Sequence, residues 1–203
     1  MGFPSKLKDF RHYIDSQGYA GVIPEVGLPK LALKTEDWRA GGMLGTLKID
    51  MGLDTMEASV TFGGLTDAAI RQFGTGLYDG VLNRFAGAYQ EDGNGTVRAL
   101  EVFMLGRWHE LDFGSAKVGS DTAHKATLNV AYYRMDVDGV TWIEIDLVNC
   151  IFNVMGTDRW AEIRAAHAVS HPGPLTLGSG GSAIQHRKVA PQSSMSVSSA
   201  PPR

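Results

Sequence analysis

The chain has 203 residues, of which 43% are hydrophobic and 20% charged, enough for one sizeable core and ordinary for a soluble globular protein. Its 25 glycines call for many turns, and therefore for strands rather than long helices. The net charge of −3 conceals an asymmetry: residues 1–162 hold 15 basic against 22 acidic side chains, a balance of −7 that excludes tight binding of phosphate backbones by the body.

The first segment, "MGFPSKLKDFRHYID", lacks the apolar run of a signal peptide, and nothing downstream approaches the roughly 18 apolar residues of a membrane span, so the expectation is a protein made in a cytoplasm and not inserted in a membrane. Next comes "RAGGMLGTLKIDMGLD", Arg39 to Asp54, which opens polar and glycine-rich and ends in a strand-like alternation. A phosphate-binding loop would need Gly, four residues, Gly and Lys at the head of a helix; here Gly41 and Gly45 are too close, no Lys follows Gly45, and the downstream segment reads as a strand. "TMEASVTF" then alternates cleanly, with Met56, Ala58, Val60 and Phe62 on one face and Thr55, Glu57, Ser59 and Thr61 on the other, the pattern of a sheet with one wet face. Thr66 can cap a helix over "DAAIRQFG".

Further on, "VLNRFAGAYQ" and "TVRALEVFML" flank "EDGNG", and "ATLNVAYYRM" and "VTWIEIDLVN" flank "DVDG", which predicts two antiparallel hairpins. The second turn imitates a calcium loop at Asp136, Asp138 and Gly139, but Arg134 and Ile145 stand where its end ligands belong. Glu144 and Asp146 share a strand face about 7 Å apart, a spacing that admits a glycosidase acid and base; an exposed strand face is the reading preferred here. The single cysteine, Cys150, lies in the apolar run "LVNCIFNV" and is expected to be buried and inert. Thr157 can cap a helix over "DRWAEIRAAHAV", with Trp160, Ile163 and His167 on one stripe, before "HPGP" ends it. The histidines offer no metal spacing beyond His167 and His171, read as a solvated pair, and neither a nucleophile elbow nor a cofactor motif is present. No catalytic, metal or cofactor residue is assigned, and the chain is not read as an enzyme.

From about Ser170 the composition turns to Pro, Ser and Gly with basic residues and few large apolar ones, a segment expected to contribute little to the core. The division expected is a domain over 1–169 followed by an extension over 170–203, whose removal should leave the fold intact.

Taken in order and spacing, "LPKL" at 28–31, Glu36, "GGM" at 41–43, Gly45, "DMGLD" at 50–54, "RFAG" at 84–87, Gly106-Arg107, Glu110, Asp112, Gly114, Tyr132, Arg134, Asp138-Gly139, "EID" at 144–146, Asn149 and Asp158-Arg159 resemble the tail tube proteins of contractile-tailed (myovirus-type) bacteriophages, the family that also forms the tubes of R-type bacteriocins. The extension after about residue 168 departs from the family pattern. The resemblance implies a mainly β subunit, a β-barrel or sandwich of antiparallel strands with one or two flanking helices, six of which close a ring around a continuous inner β-barrel. Stacked rings would make a hollow conduit for genome delivery, in the virion once assembled and in the host cytoplasm before. The implied partners are further copies of the chain, the tail sheath protein, the tape measure protein inside the tube, the baseplate and tail terminator proteins, and genomic DNA in passage without tight binding.

The resemblance also assigns roles. Residues 36–54 become the contact between rings, with Arg39, Gly41, Gly42, Met43, Leu44, Gly45, Asp50, Leu53 and Asp54 as candidates, their glycines allowing the segment to order on stacking. Thr55, Glu57, Ser59 and Thr61 become candidates for the lumen, with the face at Thr127 and Asn129 as the alternative, and the lumen is expected to be polar and acidic with no aromatic platform. A bacteriocin or secretion-system tube is the alternative within the family; a monomeric glycan-binding sandwich or a glycosidase using Glu144 and Asp146 is the alternative outside it.

Overall fold

Period-two alternation becomes strand in the computed structural model, which describes residues 3–119 and 122–168; the expectations for 170–203 fall outside the described residues. In chain order the strands are β1 (Ser5–Ile14), β2 (Gln17–Gly18), β3 (Glu25–Gly27), β4 (Leu33–Trp38), β5 (Leu47–Leu53), β6 (Met56–Phe62), β7 (Val81–Glu91), β8 (Val97–Asp112), β9 (His124–Val137), β10 (Val140–Asp146), β11 (Ile151–Val154) and β12 (Thr157–Asp158), followed by helix α1 (Ala161–Ala168). One sheet runs β12-β11-β10-β9-β8-β7-β1-β2; β6 pairs with β9 and carries β3, while β4 and β5 form a hairpin of their own. The mainly β, antiparallel architecture matches the expectation.

Both predicted hairpins form, and their turns explain why. Asp138 (φ 51°) and Gly139 (φ 80°) occupy the left-handed region together, as a two-residue turn matched to strand twist requires. The Asp138 carboxylate accepts from the Ala99 N–H at 2.9 Å, so the residue that imitated a calcium ligand ties a turn instead. In the other turn Asn94 Oδ1 accepts from the Thr96 N–H at 2.8 Å.

The tertiary step is a corner. Along β9, residues 124–130 pair with β6 and residues 132–137 pair with β10, so the same strand edge passes from one neighbour to another. At that point the β8–β9 register shifts between Leu105 and Gly106 and again between Trp108 and Glu110. Bulges bend a sheet and increase its twist, and here they fold it so that the inward faces of its two halves share one core. Met56, Val60, Phe62, Trp108 and Leu128 from one half join Phe85, Val102, Met104, Tyr133 and Ile145 from the other, each large side chain contributing about 1.5–3 kcal/mol on burial.

A polar pair lies inside that core. His12 Nε2 lies 2.9 Å from Asn83 Oδ1 and donates to it, while His12 Nδ1 and Asn83 Nδ2 have no partner. Burial lowers the His12 pKa from its usual 6.5, against a smaller upward pull from Asn83. The unfolded chain therefore takes up a proton before the native state does, and stability present above pH 6.5 is lost as pH falls toward the depressed native value. Thermal melts of the subunit should drop as pH falls below 6.5, and His12→Gln should be less stable at neutral pH yet lose less over the same range. A wild-type midpoint constant over this range would exclude the account.

Several expectations are corrected. The helix placed after Thr66 shrinks to a single 3₁₀ turn at Ile70–Gln72. The later helix begins at Ala161, because Thr157 and Asp158 pair with β11, and Asp158 rather than Thr157 accepts from the Trp160 N–H, at 3.0 Å. Trp160, just before it, and Arg164 within it are half-buried, while Ile163 and His167 are exposed. Cys150 is only half-buried and sits in a turn at φ 53°. The glycine-rich stretch forms the tip of the β4–β5 hairpin, whose register shifts between Leu33 and Thr35.

Candidate assembly surfaces

Directly opposed residues of antiparallel strands share a face, and this merges two surfaces that the sequence left as alternatives. Glu57 pairs with Asn129, Ser59 with Thr127 and Thr61 with Lys125. On the other side of β9, Arg107 pairs with Asn129, Glu110 with Thr127 and Asp112 with Lys125. The Glu57, Ser59 and Thr61 stripe and the Thr127 and Asn129 stripe are thus one polar outward surface, Thr55 lying just before β6 and exposed.

Beyond the corner the same face changes character. Tyr13, Arg84, Phe103, Arg134, Glu144 and Asn153 fall in a single cross-strand row through β1, β7, β8, β9, β10 and β11. Arg84 donates to Glu101 at 2.7 Å and lies over the rings of Tyr13 and Phe103, 5.4 and 5.6 Å from their centroids. Arg134 pairs with Asp136 at 2.9 Å. Reasoning from β6 alone missed these cations and rings, since nothing in their local alternation says which strands lie beside one another.

The paired carboxylates are engaged in structure. Glu144 accepts from the Tyr132 hydroxyl at 2.8 Å, and burial together with that bond pushes the Tyr132 pKa up to about 12. Asp146 Oδ1 accepts from the N–H groups of Val148 and Asn149 at 3.0 and 2.9 Å, closing the turn after β10.

The β4–β5 hairpin is the second surface. Trp38 pairs with Leu47 and Glu36 with Ile49, placing Trp38, Leu47, Ile49 and Glu36 on one face. Trp38 and Leu47 are 56% and 57% exposed, so this face is apolar and uncovered. Arg39, Gly41, Gly42, Met43, Leu44 and Gly45 form the tip, where Gly42 adopts φ +86° and Gly41 and Gly45 face open space. Asp50, Leu53 and Asp54 belong instead to the root: Asp50 accepts from the Gly52 N–H at 2.8 Å, Leu53 packs against the core, and Asp54 accepts from the Thr55 N–H at 2.9 Å. A cleft of about 560 Å³ separates the root from β11 and α1, lined by Leu33, Met51, Phe152, Trp160 and Ile163 among others. Trp38, Leu47 and Ile49 went unnamed as candidates in the sequence, although the period-two spacing of Leu47 and Ile49 was the signal for them.

A bent antiparallel sheet with open strand edges and an uncovered apolar hairpin face defines a mainly β structural subunit. The chain belongs to the family of phage tail tube proteins, the FII type, whose model matches residues 4–166. It is 40% identical over 168 residues to the tail tube protein of Escherichia phage P2, spanning 81% of this chain and 97% of that protein. To the major tail tube protein of Serratia phage KSP20 it is 38% identical over 164 residues, 80% of this chain and 94% of that one. Among solved structures, the sheath/tube terminator of an extracellular contractile injection system has the same fold, with a TM-score of 0.51 at 12% identity over 66% of this chain and 97% of that one. The tube-terminating cap of the anti-feeding prophage superposes with a TM-score of 0.50 at 9% identity, over 67% of this chain and 93% of that one.

Proposed function

We propose that the chain is the structural subunit of the inner tube of a contractile phage tail, closing into six-fold rings that stack into a hollow conduit for the genome. The observation that carries this reading is likeness at 40% identity to a phage tail tube protein along 97% of that protein's length. Its architecture supports assembly: among the described residues the outer edge of β1 is paired only at Tyr13 and Ile14, leaving most of the strand open to a neighbour. Ring closure covers such an edge, and a residual twist between rings extends the stack as a filament. The β4–β5 hairpin is the element that contacts the next ring, and the outward face bearing Thr55, Glu57, Ser59, Thr61, Thr127 and Asn129 lines the lumen. The sheath protein is the partner outside the tube, the tape measure protein the partner inside it, and the terminator and baseplate proteins those at its ends. Assembly takes place in the host cytoplasm and the finished tube resides in the virion, with no catalytic step.

A conduit must let a polyanion slide. The excess of acidic over basic side chains in residues 1–162 repels DNA, and Glu101 and Asp136 hold Arg84 and Arg134 in ion pairs on the outward face. Full-length protein supplied with sheared native tubes as seeds should extend them into hollow six-fold tubes by negative-stain microscopy. Those tubes should release duplex DNA at physiological salt. Protein that stays monomeric with seeds present would reject the function, and tubes that retain duplex would reject the lumen assignment.

A further inference from the structure

The polar outward face of β3, β6, β9 and β8 carries cations that the acidic balance of the body does not suggest. One cross-strand row runs Glu25, Thr61, Lys125 and Asp112. Another runs Glu57, Asn129 and Arg107, with Glu110 the next residue of this face on β8. All six charged side chains are exposed, while Ser59, Thr127 and Asn129 between them are half-buried. Among the described residues neither Arg107 nor Lys125 has an ion-pair partner. Two such cations per subunit, repeated around a ring and along a stack, are a hazard for a conduit, because each lysine or arginine that meets a phosphate releases a counterion and adds to salt-dependent affinity.

The acids are placed on both sides of each cation. Lys125 lies directly opposite Asp112 and across Thr61 from Glu25. Arg107 lies across Asn129 from Glu57 and precedes Glu110 on its own strand, where the register shifts. Directly opposed positions are about 5 Å apart and positions one strand further about 10 Å, which is about the Debye length at 0.1 M salt. Asp112 Oδ1 accepts from the Gly114 N–H at 2.8 Å, a bond that leaves its charge beside Lys125. We propose that Glu57 and Glu110 shield Arg107, and Glu25 and Asp112 shield Lys125, so that the lumen passes duplex because its cations are neutralised locally and not because it lacks them. The inference rests on the lumen reading and deepens it by naming the residues that govern passage. A phosphate approaching Arg107 also meets two carboxylates, and a cation whose countercharge is fixed in the protein has no mobile counterion to release.

The test grows tubes from full-length protein on seeds in the presence of linear duplex DNA, adds nuclease, and measures the protected duplex after a wash at physiological salt. Working at pH 8 keeps histidine charge, including that of exposed His109 beside Glu110, out of the comparison. Glu57→Gln combined with Glu110→Gln should raise retention about tenfold or more over wild type, and adding Arg107→Gln should bring it back to within about threefold. Asp79→Asn combined with Glu162→Gln removes as many carboxylates from outside these strands and should leave retention at the wild-type level. The proposal is overturned if the first pair releases duplex like wild type, if the triple variant still retains it, or if the control pair retains as much. Should the first pair not extend, the free subunit decides, since its face is equally open: the slope of log affinity against log salt for a short duplex should steepen by about one and revert in the triple variant, and an unchanged slope overturns the proposal. The lumen reading fails separately. Thr55→Cys in a Cys150→Ser chain should react in tubes with a small maleimide but not with a polymer-linked one, and equal labelling by both would take this face out of the lumen and the shielding role with it.

Discussion

Replacing Gly106 by alanine is expected to destabilise the subunit by at least about 3 kcal/mol, enough to leave much of the protein insoluble on expression. A Cβ at this position would stand 2.0 Å from the carbonyl oxygen of Asn129 and 2.9 Å from its carbon. Those are backbone atoms of the neighbouring strand, so no rotamer change relieves the clash. Gly106 pairs with Val81 on one side and Val130 on the other, at the register shift where the sheet turns over. The two strands can separate only by opening the corner that brings Trp108 and Leu128 against Phe85 and Met104. Gly45→Ala is the matched control: it meets open space and should melt like wild type. A soluble Gly106→Ala protein with an unchanged melting temperature would show that the corner is not as tight as described.

Exchanging "GGMLG" for a two-residue turn is expected to leave a folded subunit that cannot lengthen a tube. The stability change should stay within about 0.5 kcal/mol, because the tip buries little and its ties are local. Met43 Sδ accepts from the Ala40 N–H, and the Lys48–Asp37 ion pair at 2.9 Å lies in solvent, where such pairs contribute little. Assembly should respond far more strongly: if the hairpin makes the contact between rings, a shortened tip withdraws Met43 and Leu44 and displaces the Trp38 and Leu47 face from its partner. Seeded extension followed by microscopy separates the two effects, and long tubes from the shortened protein would show that stacking lies elsewhere. Trp38→Ala should give a milder version of the same result, with normal melting and slowed growth.

Local patterns carried much of this structure. Met56 to Phe62 alternates in sequence as it does in burial, and the Asp138-Gly139 and Asn94-Gly95 turns fall where backbone chemistry favours them. Failures cluster where tertiary context overrides local preference. Thr66 had the residue type of a helix cap, yet the segment behind it follows the side of β8, where Trp108 donates to Gln72, and only one turn of 3₁₀ remains. Thr157 likewise resembled a cap, but pairing with β11 takes it into a strand and passes the capping role to Asp158. Cys150 stood in an apolar run and nonetheless lies in a turn whose carbonyl accepts from Arg164 at 2.8 Å.

The candidate surfaces divide in the same way. The residues of the hairpin tip were legible because glycines cluster there, and the polar stripe of β6 was legible because a strand of period two exposes alternate side chains. That Glu57 meets Asn129, or that Arg84 lies between Tyr13 and Phe103, required strand order, which no local pattern contains.

By itself the amino-acid sequence determined the strand content, the two tight turns, the acidic balance of the body and the family, since these depend on residue type and spacing along the chain. Only the tertiary structure decided where the sheet folds over and which polar stripes join into one face. The physical reason is that pairing register and close backbone approach, as at Gly106 against Asn129, are set by contacts between residues distant in sequence, where one strand's preferences are outweighed by the packing of several.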